Sequence, residues 1–307
     1  RGSEILRRYR LEGPVDPGMM GYSAVGTVVE AGAEARAMGY APGDRVYATA
    51  PHAEYVASAA PDPMRTFKLP AGVTWPCAPF LGFVRAGLAW AISSGARPTD
   101  TVVVLGQGLI GNMVMQAHRA RGVGRVLTVD PLALRARLSR ELGAAAAVQA
   151  GGAAAVAEVR RLTGGRGADV VVDCVGGPPG VASFAGALEM AAPGGTVHLI
   201  GLYHGAPLPL DASRMMGKLL IGGYRLSESW TDLTAQAVAA VAEGKVRIEP
   251  LITHRFPAAR AAEAFALLDG HLEQALGVLL EWPQRPEGSE GPEGPEGAQN
   301  GGGPGRG

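Results

Sequence analysis

The fold is decided by the stretch TVVVLGQGLIG at residues 101–111, in which a mostly β-branched run passes directly into the glycine pattern G-x-G-x-x-G. Such a run predicts a buried strand, and the glycines predict a tight turn into a helix. The first glycine makes the turn, the second lets the backbone approach a pyrophosphate, and the third packs helix on strand. A helix N-terminus also attracts anions. The candidate cofactor-binding residues of this unit are Gly106, Gly108, Leu109, Ile110 and Gly111.

An acidic residue ends the next predicted strand. Asp130 follows residues 125–129, nineteen positions after Gly111. A carboxylate at this point accepts hydrogen bonds from both ribose hydroxyls and repels a 2′-phosphate, so we predict NAD rather than NADP. The alternative is that Asp130 only caps the helix that begins near Pro131.

The middle of the chain alternates short apolar runs with longer helix-like segments. This order predicts an α/β fold, a doubly wound parallel sheet of the Rossmann type. The predicted strands are 101–105, 125–129, 170–174, 196–200 and 219–224, and the predicted helices are 111–121, 132–142, 153–162 and 180–191. Before this core, residues 1 to about 70 carry frequent turn signals and predict a small β-rich domain. After it, we predict helices at 232–243 and 257–268 and a strand at 277–282.

The composition of the chain limits the kinds of molecule that it is expected to bind. The 28 basic and 28 acidic residues cancel, which gives no general attraction to nucleic acid or to an anionic membrane. The chain holds only two cysteines, which excludes a disulfide framework and a zinc site built on paired cysteines. No apolar run approaches the roughly 20 residues that span a bilayer. We therefore expect a cytoplasmic protein whose partners are a small-molecule substrate and other subunits.

Further stretches resemble the medium-chain dehydrogenase/reductase family of alcohol and polyol dehydrogenases. They are GYSAVGTVV (21–29), PGDRV (42–46), AEYV (53–56), KLP (68–70), GGRGADVVVD (164–173) and PLITH (250–254). The resemblance implies a chaperonin-10-like (GroES-like) β-rich catalytic domain at 1–82, a Rossmann domain at 83–225 and a return to the catalytic domain at 226–282. Residues 283–307 contain nine Gly and five Pro and predict a disordered tail. Family members carry a few dozen more residues before this start, so we expect N-terminal strands to be missing.

The resemblance also implies an activity. Members of this family transfer hydride between a nicotinamide and an alcohol or carbonyl carbon in the cleft between the two domains. They form homodimers or homotetramers, and the strand at 219–224 is the expected edge that pairs subunits. The further cofactor-contacting residues that the resemblance implies are Arg135, Cys174, Val175, Gly176, Ile200, Gly201 and Leu202. For Arg135, a position on the solvated face of its helix remains an open alternative.

The zinc ligands of the family are replaced at the matching positions. The Cys-Gly-Ser/Thr-Asp segment reads RGSE (1–4), the Gly-His-Glu segment reads GYS (21–23), and the third ligand position falls near residues 81–83, LGF. Arginine, tyrosine and glycine cannot replace thiolate or imidazole on zinc. The four-cysteine structural lobe is missing as well. We therefore predict no metal.

Three residues are candidates for the catalytic chemistry. Ser3 matches the proton-relay hydroxyl of the family, Tyr22 stands at the position of a zinc-binding histidine, and His52 can face the cleft. A tyrosine there can donate a proton or a hydrogen bond to a developing alkoxide. The alternatives are that Ser3 caps a helix, that Tyr22 is a core aromatic and that His52 lines a strand end. For Arg85, pairing or solvation is favoured over substrate binding.

The favoured function is that of a zinc-independent, NAD-dependent medium-chain alcohol dehydrogenase-like oxidoreductase. One alternative is a reductase of an activated C=C bond, of the quinone or enone type, because conjugation lessens the need for a Lewis acid. The other is an NAD(H)-binding protein without catalysis, because a fold does not fix a function.

Overall fold

The structure, a computed structural model, describes residues 4, 5, 8, 20–58, 65–202 and 207–283. Ser3 and the predicted tail from residue 284 onward lie outside this part. The strands are β1 Ala24–Thr27, β2 Arg45–Ala48, β3 Thr66–Lys68, β4 Thr101–Leu105, β5 Arg125–Val129, β6 Ala146–Val148, β7 Ala168–Asp173, β8 Ala191–Leu199, β9 Leu219–Gly222, β10 Ile252–Pro257 and β11 Gly277–Glu281. The α-helices are α1 Ala33–Ala37, α2 Leu81–Ser93, α3 Leu109–Ala120, α4 Ala133–Glu141, α5 Gly152–Leu162, α6 Gly180–Met190, α7 Ala212–Met215, α8 Trp230–Ala242 and α9 Ala261–Gly270.

The large sheet has six strands in the order β6-β5-β4-β7-β8-β9, and every neighbouring pair is parallel. Both of its faces are covered. On β4, Val102 and Val104 face a core that includes α2 and α3, whereas Val103 and Leu105 face a second core with α5 and α6. The predicted doubly wound α/β fold is thereby confirmed, because a parallel sheet needs helices on both faces.

The residues before the large sheet form an antiparallel three-stranded sheet, β1-β2-β3. Its core includes Tyr47, whose ring stacks on Phe67 with the ring centroids 4.7 Å apart. After the large sheet, β10 and β11 form a parallel pair. Small sheets on either side of a Rossmann sheet agree with the predicted β-rich second domain.

Three elements differ from the sequence-based predictions. The predicted helix at 257–268 begins at Ala261, because residues 252–257 pair with β11 and form β10. Helix α2 spans the domain boundary that was predicted between residues 82 and 83. This helix was not predicted, because apolar residues lie on most of its sides and leave no helical period in the sequence. The edge strand β6 was also missed, since its sequence is two alanines and a valine and alanine has a low strand propensity.

Helices α2 and α3 run side by side in the same direction. Near their middles, an ideal Cβ on Gly87 would lie 3.0 Å from the Met113 carbonyl oxygen. Near their C-terminal ends, the Ser94 hydroxyl lies 3.0 Å from His118 Nε2. The two helices therefore begin at the same edge of the large sheet, where its strands end.

Within the described residues, no helix is long and apolar enough to cross a membrane.

His118 makes the stability of this helix pair depend on pH. The side chain is buried, its Nδ1 donates to the Val114 carbonyl at 2.8 Å, and burial lowers its pKa from 6.5 to about 4. The unfolded chain therefore binds a proton below pH 6.5 that the folded chain binds only near pH 4, so stability falls as the pH falls through this window. We expect the free energy of unfolding to drop by about 2 kcal/mol between pH 6.5 and pH 5.

Urea unfolding at both pH values measures this effect. His118→Gln should show a smaller pH dependence than the wild-type chain, whereas His271→Gln, which changes an exposed histidine, should match the wild type. An equal pH dependence in all three proteins would contradict the assignment to His118.

Candidate dinucleotide site

The glycine-rich loop at the end of β4 has the geometry that its sequence predicts. Gly106 has a positive φ of 80°, and an ideal Cβ there would lie 2.8 Å from Val175 Cγ2. An ideal Cβ on Gly111 would lie 1.7 Å from the Gly106 carbonyl oxygen, so the third glycine is required for the packing of α3 on the loop. At Gly108 an added Cβ would meet no atom within 4 Å. The second glycine therefore faces open space, as the approach of a phosphate group requires.

The N-terminus of α3 faces the same space. Gly108 is its N-cap, and the first turn contains no acidic residue. The Asn112 amide donates to the Gly108 carbonyl at 3.0 Å, so the amides before Asn112 have no acceptor within the helix. Amides and helix dipole together favour an anion at this point.

Asp130 lies directly beside the loop and is 3% exposed. Its Oδ2 accepts the Gln107 amide at 2.7 Å and its Oδ1 accepts the Leu132 amide at 2.9 Å. The second contact stabilises the turn before α4, whose N-cap is Leu132 and has no side-chain cap, so Asp130 does not cap this helix as the sequence alternative proposed. The first ties the carboxylate to the glycine-rich loop. Each carboxylate oxygen has a second lone pair, so both contacts leave capacity for ribose hydroxyls.

Arg135 turns toward this carboxylate rather than toward solvent. Its Nη1 lies 3.6 Å from Asp130 Oδ2, and its side chain is 15% exposed. Its Nε is buried and has no hydrogen-bond partner among the described residues. The solvated-face alternative is therefore wrong for this arginine. A buried N–H without an acceptor, next to the loop, suits a group that would arrive with a ligand.

Two further loops meet at the same edge, and Asp173 organises them. This residue ends β7 and was not among the sequence candidates. Its Oδ1 accepts the Val175 amide at 3.0 Å and the Ser183 hydroxyl at 2.8 Å, and its carbonyl accepts the Ile200 and Gly201 amides, both at 2.9 Å. The sequence could have indicated Asp173, because it lies at the end of an apolar strand as Asp130 does.

Close backbone approach holds these loops together. The Gly177 amide donates to the Leu202 carbonyl at 2.9 Å, and a Cβ on Gly201 would lie 2.2 Å from the Val175 carbonyl oxygen. A Cβ on Gly176 would lie 2.9 Å from the Leu202 carbonyl oxygen. Burial, together with Asp173, raises the pKa of the Cys174 thiol well above its usual range. The structure thus brings the predicted cofactor residues together at one edge of the sheet.

Of the three catalytic candidates, Tyr22 and His52 lie on loops that touch each other, and Ser3 lies outside the described residues. Tyr22 is half-buried in the loop before β1, and the neighbouring Gly21 packs on the backbone of His52, since an ideal Cβ there would lie 2.5 Å from the His52 amide nitrogen. His52 Nε2 lies 2.9 Å from Glu4 Oε1, and its ring meets that of Phe265 edge-on at 6.2 Å. The catalytic roles of Ser3, Tyr22 and His52 stay predictions.

The third zinc-ligand position is filled in a way that does not fit a metal. An ideal Cβ on Gly82 would lie 2.5 Å from the Tyr47 hydroxyl, so this phenol occupies the space that a ligand at residue 82 would need. Tyr47 is 2% exposed and hydrogen-bonds with Ser23 and Thr49. In the described part of the chain, no three His, Cys, Asp or Glu side chains gather into a possible metal site. Tyrosine and glycine at positions 22 and 82 cannot hold zinc as the family's ligands do.

A doubly wound sheet with a glycine-rich loop and an acidic residue on the next strand defines a dinucleotide-binding fold of the Rossmann type. Residues 110–242 match the family model described as "Zinc-binding dehydrogenase". This match covers less than half of the 307-residue chain, and the observed fold and glycine-rich loop agree with it.

The relatives include dehydrogenases of polyols and glycosides. D-xylulose reductase of Morganella morganii is 28% identical over 65% of this chain and 57% of its own length. D-guloside 3-dehydrogenase of Shigella flexneri is 31% identical over 59% of this chain and 50% of its own length. A zinc-binding dehydrogenase of Sinorhizobium meliloti, solved with NADP, has a TM-score of 0.73 and 21% identity, with 92% of this chain and 89% of that chain covered. The chain thus spans about half the length of the curated relatives that it matches.

Proposed function

We propose that this chain binds NAD(H) and transfers hydride between the nicotinamide and an alcohol or carbonyl substrate without a catalytic zinc ion. The proposal rests mainly on the open space at Gly108, which is bounded by the N-terminus of α3 and by Asp130. The relatives named above support an alcohol or polyol as the substrate class.

The groups at this edge of the large sheet have separate roles in the proposed binding of NAD(H). The pyrophosphate would lie on the glycine-rich loop, the adenosine ribose would hydrogen-bond with Asp130, and Arg135 would cover the adenosine side. The nicotinamide half would then extend toward the ends of β7 and β8, where Asp173 fixes the loops. The nicotinamide supplies the hydride acceptor or donor. The chain's own residues would bind it and orient it.

The preference for NAD rests on Asp130. Its carboxylate is held by two backbone amides, so it cannot easily turn away to admit a 2′-phosphate. The NADP-bound neighbour is too distant in sequence to transfer its cofactor choice to this chain. We therefore propose NAD, with Arg135 partly offsetting the negative charge beside it.

A turnover panel on the full chain tests the proposed function. Turnover is followed at 340 nm with NAD and secondary alcohols or polyols, and with NADH and the matching ketones or a simple enone. The metal content of the same sample is measured. We expect turnover of an alcohol–ketone pair without stoichiometric zinc. Faster reduction of the enone would favour the C=C reductase alternative. Stoichiometric zinc that is required for turnover would contradict the proposal.

We also propose that β9 pairs subunits. It is an edge strand of the large sheet; Leu219, its first residue, is 49% exposed, and Met216, three residues before, is 79% exposed. An exposed apolar edge is a surface that another chain can cover. We expect the double variant Met216→Lys/Leu219→Lys to run at a smaller size than wild type in size-exclusion chromatography with light scattering. Leu272→Lys, at a 44% exposed leucine remote in sequence, is the control, and an unchanged mass in the double variant would contradict the proposal.

A further inference from the structure

Asn112 is a fully buried amide on α3, one turn after the glycine-rich loop. Its Nδ2 donates to the Gln107 carbonyl at 2.8 Å and to the Gly108 carbonyl at 3.2 Å. Side chains on a helix lean toward its N-terminus, so an amide at this position reaches carbonyls at the start of the helix and just before it. Asn112 therefore binds the backbone of the loop at which the pyrophosphate is proposed to lie.

The backbone of Gln107 is held from both sides. Its amide donates to Asp130 Oδ2 at 2.7 Å, and its carbonyl accepts the Asn112 side chain. In a trans peptide, the C=O and the following N–H point in opposite directions. Because the Gln107 carbonyl points to buried Asn112, the Gly108 N–H points away from it, toward the open space beside Gly108. The side chain of Asn112 thus fixes the direction of a backbone donor in the loop.

Glycine gives the peptide between residues 107 and 108 freedom to turn. Gly108 has no side chain that limits its φ, and an ideal Cβ there would meet no atom within 4 Å. The Gly108 carbonyl is also held by the Asn112 backbone amide at 3.0 Å, whereas the Gln107 carbonyl lies before the helix. A turned peptide would aim the Gln107 carbonyl at the open space, and its partial negative charge would repel an anion.

For stability alone, asparagine is an unfavourable residue at this position. Its Oδ1 is buried without a hydrogen-bond partner among the described residues, and the same holds for Gln107 Oε1. A buried acceptor without a donor costs free energy, and asparagine favours a helix less than alanine does. A side chain that carries both costs indicates a role in the site rather than in packing.

We propose that Asn112 is a positioning residue for the pyrophosphate: its side-chain amide holds the Gln107 carbonyl inward and so aims the Gly108 N–H at the anion. The inference rests on the proposed function, because it concerns the same nucleotide site. Asn112 is fully buried, so it acts through the loop and not by contact with the ligand. Its loss should weaken the binding of ligands that carry a pyrophosphate and leave the binding of other ligands almost unchanged.

Two ligands separate this role from a general loss of structure. ADP-ribose carries the pyrophosphate, whereas adenosine carries only the base and the ribose that Asp130 is proposed to bind. Calorimetric titration of the full chain gives the Kd of ADP-ribose, and competition with it gives that of adenosine, in wild type, Asn112→Ala and Asn112→Asp. Gln116→Ala is the matched control, because Gln116 is a buried amide one turn further along α3 that binds the Arg247 backbone instead of the loop.

We expect Asn112→Ala to bind ADP-ribose about tenfold more weakly, the effect of one misdirected hydrogen bond to a charged group, and adenosine within about twofold of wild type. Gln116→Ala should lose stability in urea and keep both affinities. Relative to wild type, Asn112→Asp should bind ADP-ribose more weakly at pH 8 than at pH 6. Burial raises the pKa of a carboxyl group, and the protonated form is neutral and can donate one O–H to the Gln107 carbonyl.

Unchanged affinity of Asn112→Ala for ADP-ribose would overturn the role of Asn112, and so would an equal loss for ADP-ribose and adenosine. Either result would leave the binding of NAD(H) by wild type intact. If Asn112→Ala does not fold, equal effects of Asn112→Asp at both pH values would overturn the role instead. Failure of wild type to bind ADP-ribose would contradict the proposed function and this inference with it.

Discussion

Gly111→Ala should weaken NADH binding by about 100-fold, because an ideal Cβ at this position would lie 1.7 Å from the Gly106 carbonyl oxygen. The new methyl group must move either α3 or the loop, and both carry the groups proposed to hold the pyrophosphate. Alanine is favoured over glycine in a helix by about 1 kcal/mol. A net loss of stability in this variant would therefore show that the clash outweighs helix propensity.

Gly124→Ala is the matched control for that substitution. Gly124 lies in the turn after α3, and its added Cβ would meet only the Pro98 carbonyl oxygen at 3.7 Å, an ordinary contact. Fluorescence titration with NADH and urea unfolding are measured on both variants. Unchanged NADH affinity in Gly111→Ala would show that the nucleotide does not use this loop.

Asp130→Ala should have the second large effect, on stability and on cofactor choice together. The change leaves the Gln107 and Leu132 amides without their buried acceptor, which costs about 3 kcal/mol of folding free energy. It also removes the group proposed to accept the ribose hydroxyls and to repel a 2′-phosphate. We expect NADH to bind about 100-fold more weakly and NADPH to be affected much less.

The ratio of the two affinities separates the roles of Asp130. If Asp130 served only to accept the Gln107 and Leu132 amides, its loss would weaken NADH and NADPH binding by the same factor, and that result would contradict the ribose contact. Glu141→Ala serves as the control, because Glu141 is a half-exposed carboxylate at the end of α4 whose ion pair with Arg137 is a surface contact. Surface pairs of this kind contribute little, so its stability should change by less than about 1 kcal/mol.

The large sheet was predictable because its local signals agree. The predicted strands at 101–105 and 125–129 match β4 and β5 residue for residue, since β-branched runs between turn residues have few other structures open to them. Elements that depend on tertiary contacts were not predictable. Strand β10 pairs with β11 across the intervening helix α9, and no local sequence period reports this pairing.

The candidate site also has a part that could be predicted from the sequence and a part that could not. The glycines and Asp130 are adjacent in the strand–turn–helix unit, so their arrangement follows from local geometry. The contact of Tyr47 with Gly82 joins residues 35 positions apart, and no sequence period reports such a contact. The contact of Arg85 with Thr234 joins residues 149 positions apart, and no local sequence signal reports it either.

Titration of the full chain with NADH and with NADPH, followed by nucleotide fluorescence, measures whether this fold binds NAD(H). We expect saturable binding of NADH at micromolar concentrations and at least about tenfold weaker binding of NADPH, as a carboxylate facing the 2′-position requires. If neither nucleotide binds above the level of a buffer control, the proposed binding of NAD(H) is wrong, and tighter binding of NADPH would contradict the role given to Asp130.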